Sequence, residues 1–297
     1  MPDVTGALFF NPSSGAKLPD AERSALEEAI REAGLDLIPL TREVDVSKTI
    51  RERMDRGERL FVAAGGDGTI HHVIQPLVGT DAVLGVIPVG TYNHFARDLS
   101  LPLDWREALD VIVNGRTCQV DAARVNDRYF VNNLSIGLYP ELVKRREAKG
   151  RDYPRWKARL QALITTLQKF PHVNLSIETE SRHENLRTHV FMVSNNSYDL
   201  SRIGVEAPRD TLDAGNLTAY WLPHISRMRM MRFIAHYLAG RVRHTLGFRS
   251  FRTKRLTVDS SRPKLNVGID GEVFTLTTPI QMTIVPAGLS VRAPRES

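Results

Sequence analysis

Three short polar segments carry glycine beside groups that bind phosphate. They are Asn11-Pro12-Ser13-Ser14-Gly15, Gly65-Gly66-Asp67-Gly68-Thr69 and Gly90-Thr91-Tyr92-Asn93. Glycine lets a backbone turn sharply and approach a ligand with no Cβ in the way. Where such a turn opens a helix, backbone N–H groups and the helix dipole receive an anion. Asp67 can hold a nucleotide-bound Mg²⁺ or orient a donor, and Thr69 can donate its hydroxyl to a phosphate oxygen. The second segment is not a Walker A loop, because no Gly-Lys-Ser/Thr follows. Nor is it Gly-x-Gly-x-x-Gly, because His71 stands where the third glycine belongs. As a lone motif it reads either as a phosphate loop or as an Asp-Gly turn after a strand. A fourth segment, Gly268-Ile269-Asp270-Gly271-Glu272, sets two carboxylates at a turn. A carboxylate within hydrogen-bond reach of an alcohol can take its proton as it attacks phosphorus. By itself, this segment is an ordinary hairpin turn.

The elements that must position these loops alternate in the first third of the chain. Apolar runs at 7–10, 35–40, 59–64 and 82–89 read as strands. Helices read between them, from Asp20 as N-cap to the stop at Gly34, from Asp45 to about Arg56, from Gly68 past Leu77, and from Trp105 to the stop at Gly115. Short connections in this alternation predict a parallel sheet covered on both faces. Its strands deliver the three glycine loops to one edge, where open α/β sheets bind ligands. After Asp121 the pattern changes. A hairpin at 122–132 turning at Asn126-Asp127 is followed by basic helical stretches at 141–149 and 154–168. Strand-like runs follow at 173–179, 188–194 and 217–222, a Met-rich helix at 226–244, and further strands at 252–258, 264–269 and 280–285. The expectation is a second, β-rich sandwich domain over 122–285, with 1–121 and 286–297 forming the α/β domain.

Composition bounds the rest. With 297 residues, 42% hydrophobic and 25% charged, the chain is neither disordered nor collagenous, and its one cysteine, Cys118, excludes a disulfide scaffold. Cys118 reads as a small buried residue. No apolar run approaches a spanning helix and no secretory signal is evident, so a cytoplasmic protein is expected. The net charge of +6 is concentrated: 216–258 holds nine Lys or Arg and no acid. Such a stretch faces an anionic partner or water.

Taken together, Asn11–Gly15, Gly65–Thr69, Pro88-Val89-Gly90-Thr91-Tyr92-Asn93-His94-Phe95-Ala96 and Asp270-Gly271-Glu272 resemble the diacylglycerol kinase/sphingosine kinase catalytic family, most closely its compact bacterial lipid kinases. The resemblance runs over nearly the whole chain and keeps the order of all four motifs. The Gly-Gly-Asp-Gly loop alone is shared with NAD kinases and phosphofructokinases. The resemblance implies an NAD kinase/diacylglycerol kinase-like α/β nucleotide-binding domain, a β-rich second domain and an active site in the cleft between them. Mg·ATP would donate its γ-phosphate to a lipid hydroxyl. It places Asn11, Ser13, Ser14 and Gly15 near phosphate and Thr41 near the nucleotide, with Gly65, Gly66, Asp67, Gly68, Thr69, Thr91 and Asn93 completing the ATP site. Asp270 and Glu272, with Asp67, would be catalytic, and either member of the pair can take the proton. Asp121 matches a family acidic position, or is a strand-end turn residue.

Two positions depart from the family pattern. His94 stands where Asp is common, so a changed water or metal network is expected. Ala214, in Leu212-Asp213-Ala214-Gly215-Asn216, stands where an Asp helps hold a structural Mg²⁺, and no protein-bound metal site is assigned. The expected partner is a neutral lipid at an anionic membrane surface, met by the basic helices and the 226–244 helix. The same helix also reads as core-packed with a solvated basic face. No RNP, zinc-finger or helix-turn-helix pattern supports a nucleic-acid partner. His71 and His72 are adjacent on a helix and are not joint ligands. A homodimer through sheet edges is open. The rival readings are a kinase of a soluble acceptor such as NAD, and a nucleotide- or lipid-binding regulator without catalysis.

Overall fold

The computed structural model describes residues 5–12, 19–41, 43–137, 172–196, 211–223, 228 and 249–295. The chain divides into two compact units. The first takes Met1–Ala122, Asp127–Asn132 and Val285–Ser297; the second takes Ala123–Asn126 and Asn133–Ile284.

The first unit alternates β1 (Gly6–Phe10), α1 (Asp20–Glu32), β2 (Leu35–Pro39), α2 (Val46–Asp55), β3 (Leu60–Gly65), α3 (Asp67–Ile74), β4 (Val83–Pro88), α4 (His94–Asp98) and α5 (Trp105–Asn114). The strands are parallel in the order β2-β1-β3-β4, and the end of β15 (Ile280–Ala293) pairs beside β4. Parallel strands covered on both faces carry continuous apolar runs, and every residue of β1 and β3 is buried. Leu8, Phe10, Val62 and Ala64 pack with Leu26 and Ile30 of α1 and with Trp105, Leu109 and Ile112 of α5. The register aligns Phe10 with Pro39 and Ala64, and Gly65 with Pro88, so the loops after all four strands leave from one edge.

Side-chain caps start two of these helices. Asp45 accepts from Lys48 N–H (2.9 Å) and Asp104 from Arg106 N–H (2.9 Å). The expected cap at Asp20 is corrected: Pro19 precedes α1 with no side-chain cap, and Asp20 is its first helical residue. There its charge still complements the helix dipole. Glu22 ties α1 to α5 by accepting from Trp105 Nε1 (2.9 Å) and Arg106 Nη1 (3.0 Å). The Trp105 bond, then the Arg106 bond, holds the Glu22 carboxyl below its ordinary range.

The second unit is antiparallel. Its strands run β14 (Glu272–Thr277), β13 (Lys264–Ile269), β7 (Asn133–Gly137), β9 (His183–Asn195), β8 (Val173–Glu178) and β12 (Arg255–Asp259), followed by the start of β15. β10 (Leu217–Pro223) pairs with β9, and β11 (Arg249–Thr253) with β10. β9 is long because it serves two sets of neighbours: its first half pairs with β8 and its second with β7 and β10. The strand expected at 252–258 is two strands broken at Lys254, where Thr253 Oγ1 bonds Arg255 O (2.7 Å) and Glu180 (2.7 Å). β5 (Arg116–Val125) and β6 (Arg128–Phe130) flank the expected turn, with Asn126 at φ 51°. The helical stretches expected at 141–149 and 154–168 lie outside the described residues. So does the 226–244 helix, apart from Met228, which is helical and exposed.

Candidate active site

At the common edge of the first unit, the loops after β1, β3 and β4 contact one another. Asn11 N–H donates to Ala64 O (3.0 Å), and Asn11 Nδ2 reaches Thr69 Oγ1 (3.4 Å). Thr69 is buried against Gly65, where a Cβ would strike its side chain. The backbone of Gly90 lies against Gly66: a Cβ on Gly90 would collide with Gly66 Cα and stand 2.7 Å from Asn93 Oδ1. Only glycine permits that approach. Gly90→Ala is therefore expected to force the two loops apart, costing about 1–3 kcal/mol as overpacking does. A thermal melt of the variant beside wild type checks that cost.

Asn93 is at φ 52°, in the left-handed region, and its amide holds its own loop. Oδ1 accepts from Gly90 N–H (3.0 Å), while Nδ2 donates to Pro88 O (3.0 Å) and Gly90 O (3.1 Å). Asn93 thus shapes the loop that Thr91, which is exposed, completes. Asp67, the first residue of α3, joins the second and third loops. Its carboxylate accepts from His94 N–H (3.3 Å) and Phe95 N–H (3.3 Å) at the start of α4, and from Asn132 Nδ2 (3.5 Å). Because His94 contributes its backbone here, the departure from Asp at this position leaves that bond in place. The His94 ring instead stacks on Tyr92, with centroids 5.7 Å apart and planes 10° from parallel. Asn132 and the short helix α4 are parts of the site that the sequence reading missed.

Thr41 closes β2 in an exposed turn, its Oγ1 accepting from Glu43 N–H (3.4 Å). Gly68 lies in the first turn of α3. Ser13, Ser14 and Gly15 lie outside the described residues. Asp121 lies inside β5 rather than at its end. It is buried, and its Oδ1 accepts from Ala287 N–H (2.9 Å), fixing a residue of β15 at φ 49°. His71 is buried and His72 exposed, their rings edge-on at 5.7 Å. Cys118 is half-buried, a correction to the buried placement expected for it. Among the described residues no three of His, Cys, Asp or Glu stand together as metal ligands.

The second unit presents the acidic pair. Ile269 pairs with Glu272 across β13 and β14, leaving a two-residue turn with Asp270 at φ 47° and Gly271 at φ 91°. Both angles are positive, as a type I′ hairpin requires, and Asp-Gly is a preferred sequence for it. Asp270 is only 3% exposed. Its Oδ1 accepts from Asn133 N–H (3.1 Å), and its own N–H donates to Asn133 O (2.9 Å). Glu272, half-buried, opens β14 on the other side of the turn.

A parallel α/β unit with converging glycine loops is thus followed in the chain by an antiparallel unit with an acidic turn. The diacylglycerol kinase catalytic domain matches residues 5–125, and the YegS C-terminal NAD kinase beta sandwich-like domain matches residues 143–293. The chain belongs to the family that combines these two domains. A diacylglycerol kinase of Bacillus subtilis (strain 168) is 36% identical over 141 residues, 46% of this chain and 46% of that protein. One of Staphylococcus aureus (strain JH9) is 34% identical over 134 residues, 44% of this chain and 42% of that protein. The chain thus spans under half the length of these curated relatives. A crystal structure of a diacylglycerol kinase from Bacillus anthracis str. Sterne shares the fold, with a TM-score of 0.71 at 21% identity, covering 99% of this chain and 98% of that one.

Proposed function

We propose that the protein is an ATP-dependent lipid kinase that transfers the γ-phosphate of Mg·ATP to a hydroxyl of a neutral lipid, diacylglycerol-like or sphingolipid-like. The observation that carries this reading is the convergence of the loops at Asn11, Gly65–Thr69 and Gly90–Asn93 at one sheet edge. Their backbones approach so closely that a Cβ on Gly90 has no room. Backbone N–H groups at the start of α3 suit the polyphosphate. The acceptor hydroxyl gives its proton to Asp270 or Glu272 and its oxygen bonds the γ-phosphorus, while the bond to the β-phosphate oxygen breaks and ADP leaves. Mg²⁺ bound with the nucleotide would neutralise charge on the transferring and leaving oxygens. The donor set fits an ion that arrives with ATP: Mg²⁺ is commonly held by one or two carboxylates plus substrate phosphates, and Asp67 is the carboxylate beside the loops.

The acceptor is taken from an anionic membrane surface on the cytoplasmic side. Exposed Arg249, Arg252, Lys254 and Arg255 on and between β11 and β12 support this, each basic residue near anionic lipid contributing about 1 kcal/mol. No helix among the described residues is long and apolar enough to cross a membrane.

Transfer from γ-labelled ATP to a panel of neutral lipids in mixed micelles tests the proposal. Label should appear on one lipid class and vanish with EDTA. Label on NAD instead, or none on any lipid while ATP still binds, would sink it.

A further inference from the structure

Helix α3 begins at Asp67 and ends on Gln75, which is half-buried. The Gln75 carboxamide treats Tyr129 of β6 as a neighbouring strand would. Its Oε1 accepts the Tyr129 N–H (2.9 Å), and its Nε2 donates to Tyr129 O (2.9 Å). Two main-chain groups of one residue bound by one partner is the pattern of an antiparallel ladder, made here by a side chain 54 residues distant in sequence. Nε2 also donates to His71 O (2.8 Å), one turn back in α3, which fixes the carboxamide on its own helix. Both hydrogens of the amide and its oxygen are thus engaged.

The stretch of chain that Gln75 clamps leads directly to both carboxylates assigned to the chemistry. Three residues after Tyr129, Asn132 Nδ2 donates to Asp67 Oδ1 (3.5 Å). The next residue, Asn133, exchanges two bonds with Asp270: its N–H donates to Oδ1 (3.1 Å) and its O accepts the Asp270 N–H (2.9 Å). Phe130 and Val131, between the clamp and these contacts, are buried. Close-packed side chains transmit strain rather than absorb it, so a shift at Tyr129 passes to Asn132 and Asn133. The bonds from Asn93 to Pro88 and Gly90, and from Asn11 to Ala64, shape the glycine loops without using any residue of this stretch.

We propose that Gln75 is a positioning residue for phosphoryl transfer. By clamping the Tyr129 backbone to α3, it keeps the Asn132 side chain on Asp67 and the Asn133 backbone on Asp270. Gln75 acts only through these two residues and takes no part in the chemistry itself. The proposal deepens the lipid-kinase reading and rests on it for the reaction being positioned.

The test compares wild type with Gln75→Met and Gln75→Glu. Methionine keeps the length and helix propensity of glutamine but removes the clamp, while glutamate keeps an acceptor for the Tyr129 N–H and loses both Nε2 donors. Label transfer from γ-labelled ATP to whichever lipid of the panel wild type phosphorylates, with 1,2-dioctanoylglycerol as the diacylglycerol probe, is measured well below the melting temperature. Amide hydrogen exchange read by NMR gives a second readout. In Gln75→Met kcat should fall about ten- to hundredfold, the upper figure being the effect of a misplacement near 1 Å, with the KM for ATP unchanged. Gln75→Glu should lie between it and wild type. Exchange at the Asn133 and Asp270 amides should quicken, while the amides of β8 keep their wild-type rates. Should Gln75→Met fail to fold, the same readings on Gln75→Glu decide. An unchanged kcat, whatever the Tm, makes the clamp architectural and overturns the proposal. A fall in kcat with unchanged exchange at the two amides, or with a matching rise in the KM for ATP, overturns it as well. If wild type labels no lipid, the kinase reading fails and exchange alone decides. Quickened exchange at both amides supports the coupling from Gln75 to the Asp270 turn, and wild-type exchange at either overturns it.

Discussion

Asp270→Asn is expected to lower phosphoryl transfer at least about a hundredfold, the lower end of what a positioned general base contributes, without loosening the fold. The substitution isolates the charge. Asp270 sits at φ 47° in a two-residue turn, and Asn tolerates the left-handed region as well as Asp does, with Asn-Gly equally suited to a type I′ hairpin. The amide oxygen of Asn can still accept the Asn133 N–H that Asp270 Oδ1 accepts at 3.1 Å. Asp270→Ala would mix several effects, since it strains the positive φ and leaves the Asn133 N–H without its acceptor. Glu272→Gln, made in parallel, divides the labour of the pair, and the variant with the larger loss marks the group that takes the proton. Initial rates of label transfer to the lipid, read beside thermal melts, make the comparison. Rates within a few-fold of wild type in both variants, with unchanged melts, would remove the acidic pair from the chemistry.

The parts of the molecule legible in the sequence are those whose signals are local. Continuous apolar runs such as Leu60–Gly65 announce buried parallel strands, Asp45 caps the helix it precedes, and Asp270-Gly271 makes the hairpin its dipeptide favours. Elements too short or too exposed for periodicity were not legible. Helix α4 is five residues, below the window in which a helical period shows, yet its first two N–H groups are what Asp67 holds. β14 alternates weakly because most of its residues are half-buried or exposed. The remaining gaps are long-range. Asn132 reaches Asp67 across 65 residues, and nothing in the dipeptide Asn132-Asn133 announces it. Asn93 carries the residue type of a ligand contact, but its amide is engaged by its own loop. Thr218 reads as one more residue of a buried strand; that its hydroxyl lacks a partner emerges only from three-dimensional packing.

Asp67→Ala should lower transfer about a hundredfold, the scale at which a misplacement near 1 Å acts on a reaction, and should lower stability by about 1.5–3 kcal/mol, the range for hydrogen bonds to a charged group. Sequence pattern alone makes Asp67 a metal or phosphate residue, while the structure shows its carboxylate receiving two α4 N–H groups and Asn132 Nδ2. Those bonds attach the start of α4, and with it the Gly90–Asn93 loop, to the start of α3. Without them the loop keeps its internal Asn93 bonds but loses its tie to the neighbouring loop. Asp67→Asn separates this positioning role from a purely ionic one. The amide keeps one acceptor oxygen for an α4 N–H, but its nitrogen faces the second as donor to donor. Positioning therefore predicts a graded series, with Asp67→Asn between wild type and Asp67→Ala in both Tm and kcat. His94→Ala should fall outside that series, because His94 contributes a backbone N–H that alanine retains. Full Tm with abolished transfer in both Asp67 variants would instead assign Asp67 to the metal or the phosphate directly. An equal fall in Tm in both would show that one acceptor oxygen is not enough to hold α4.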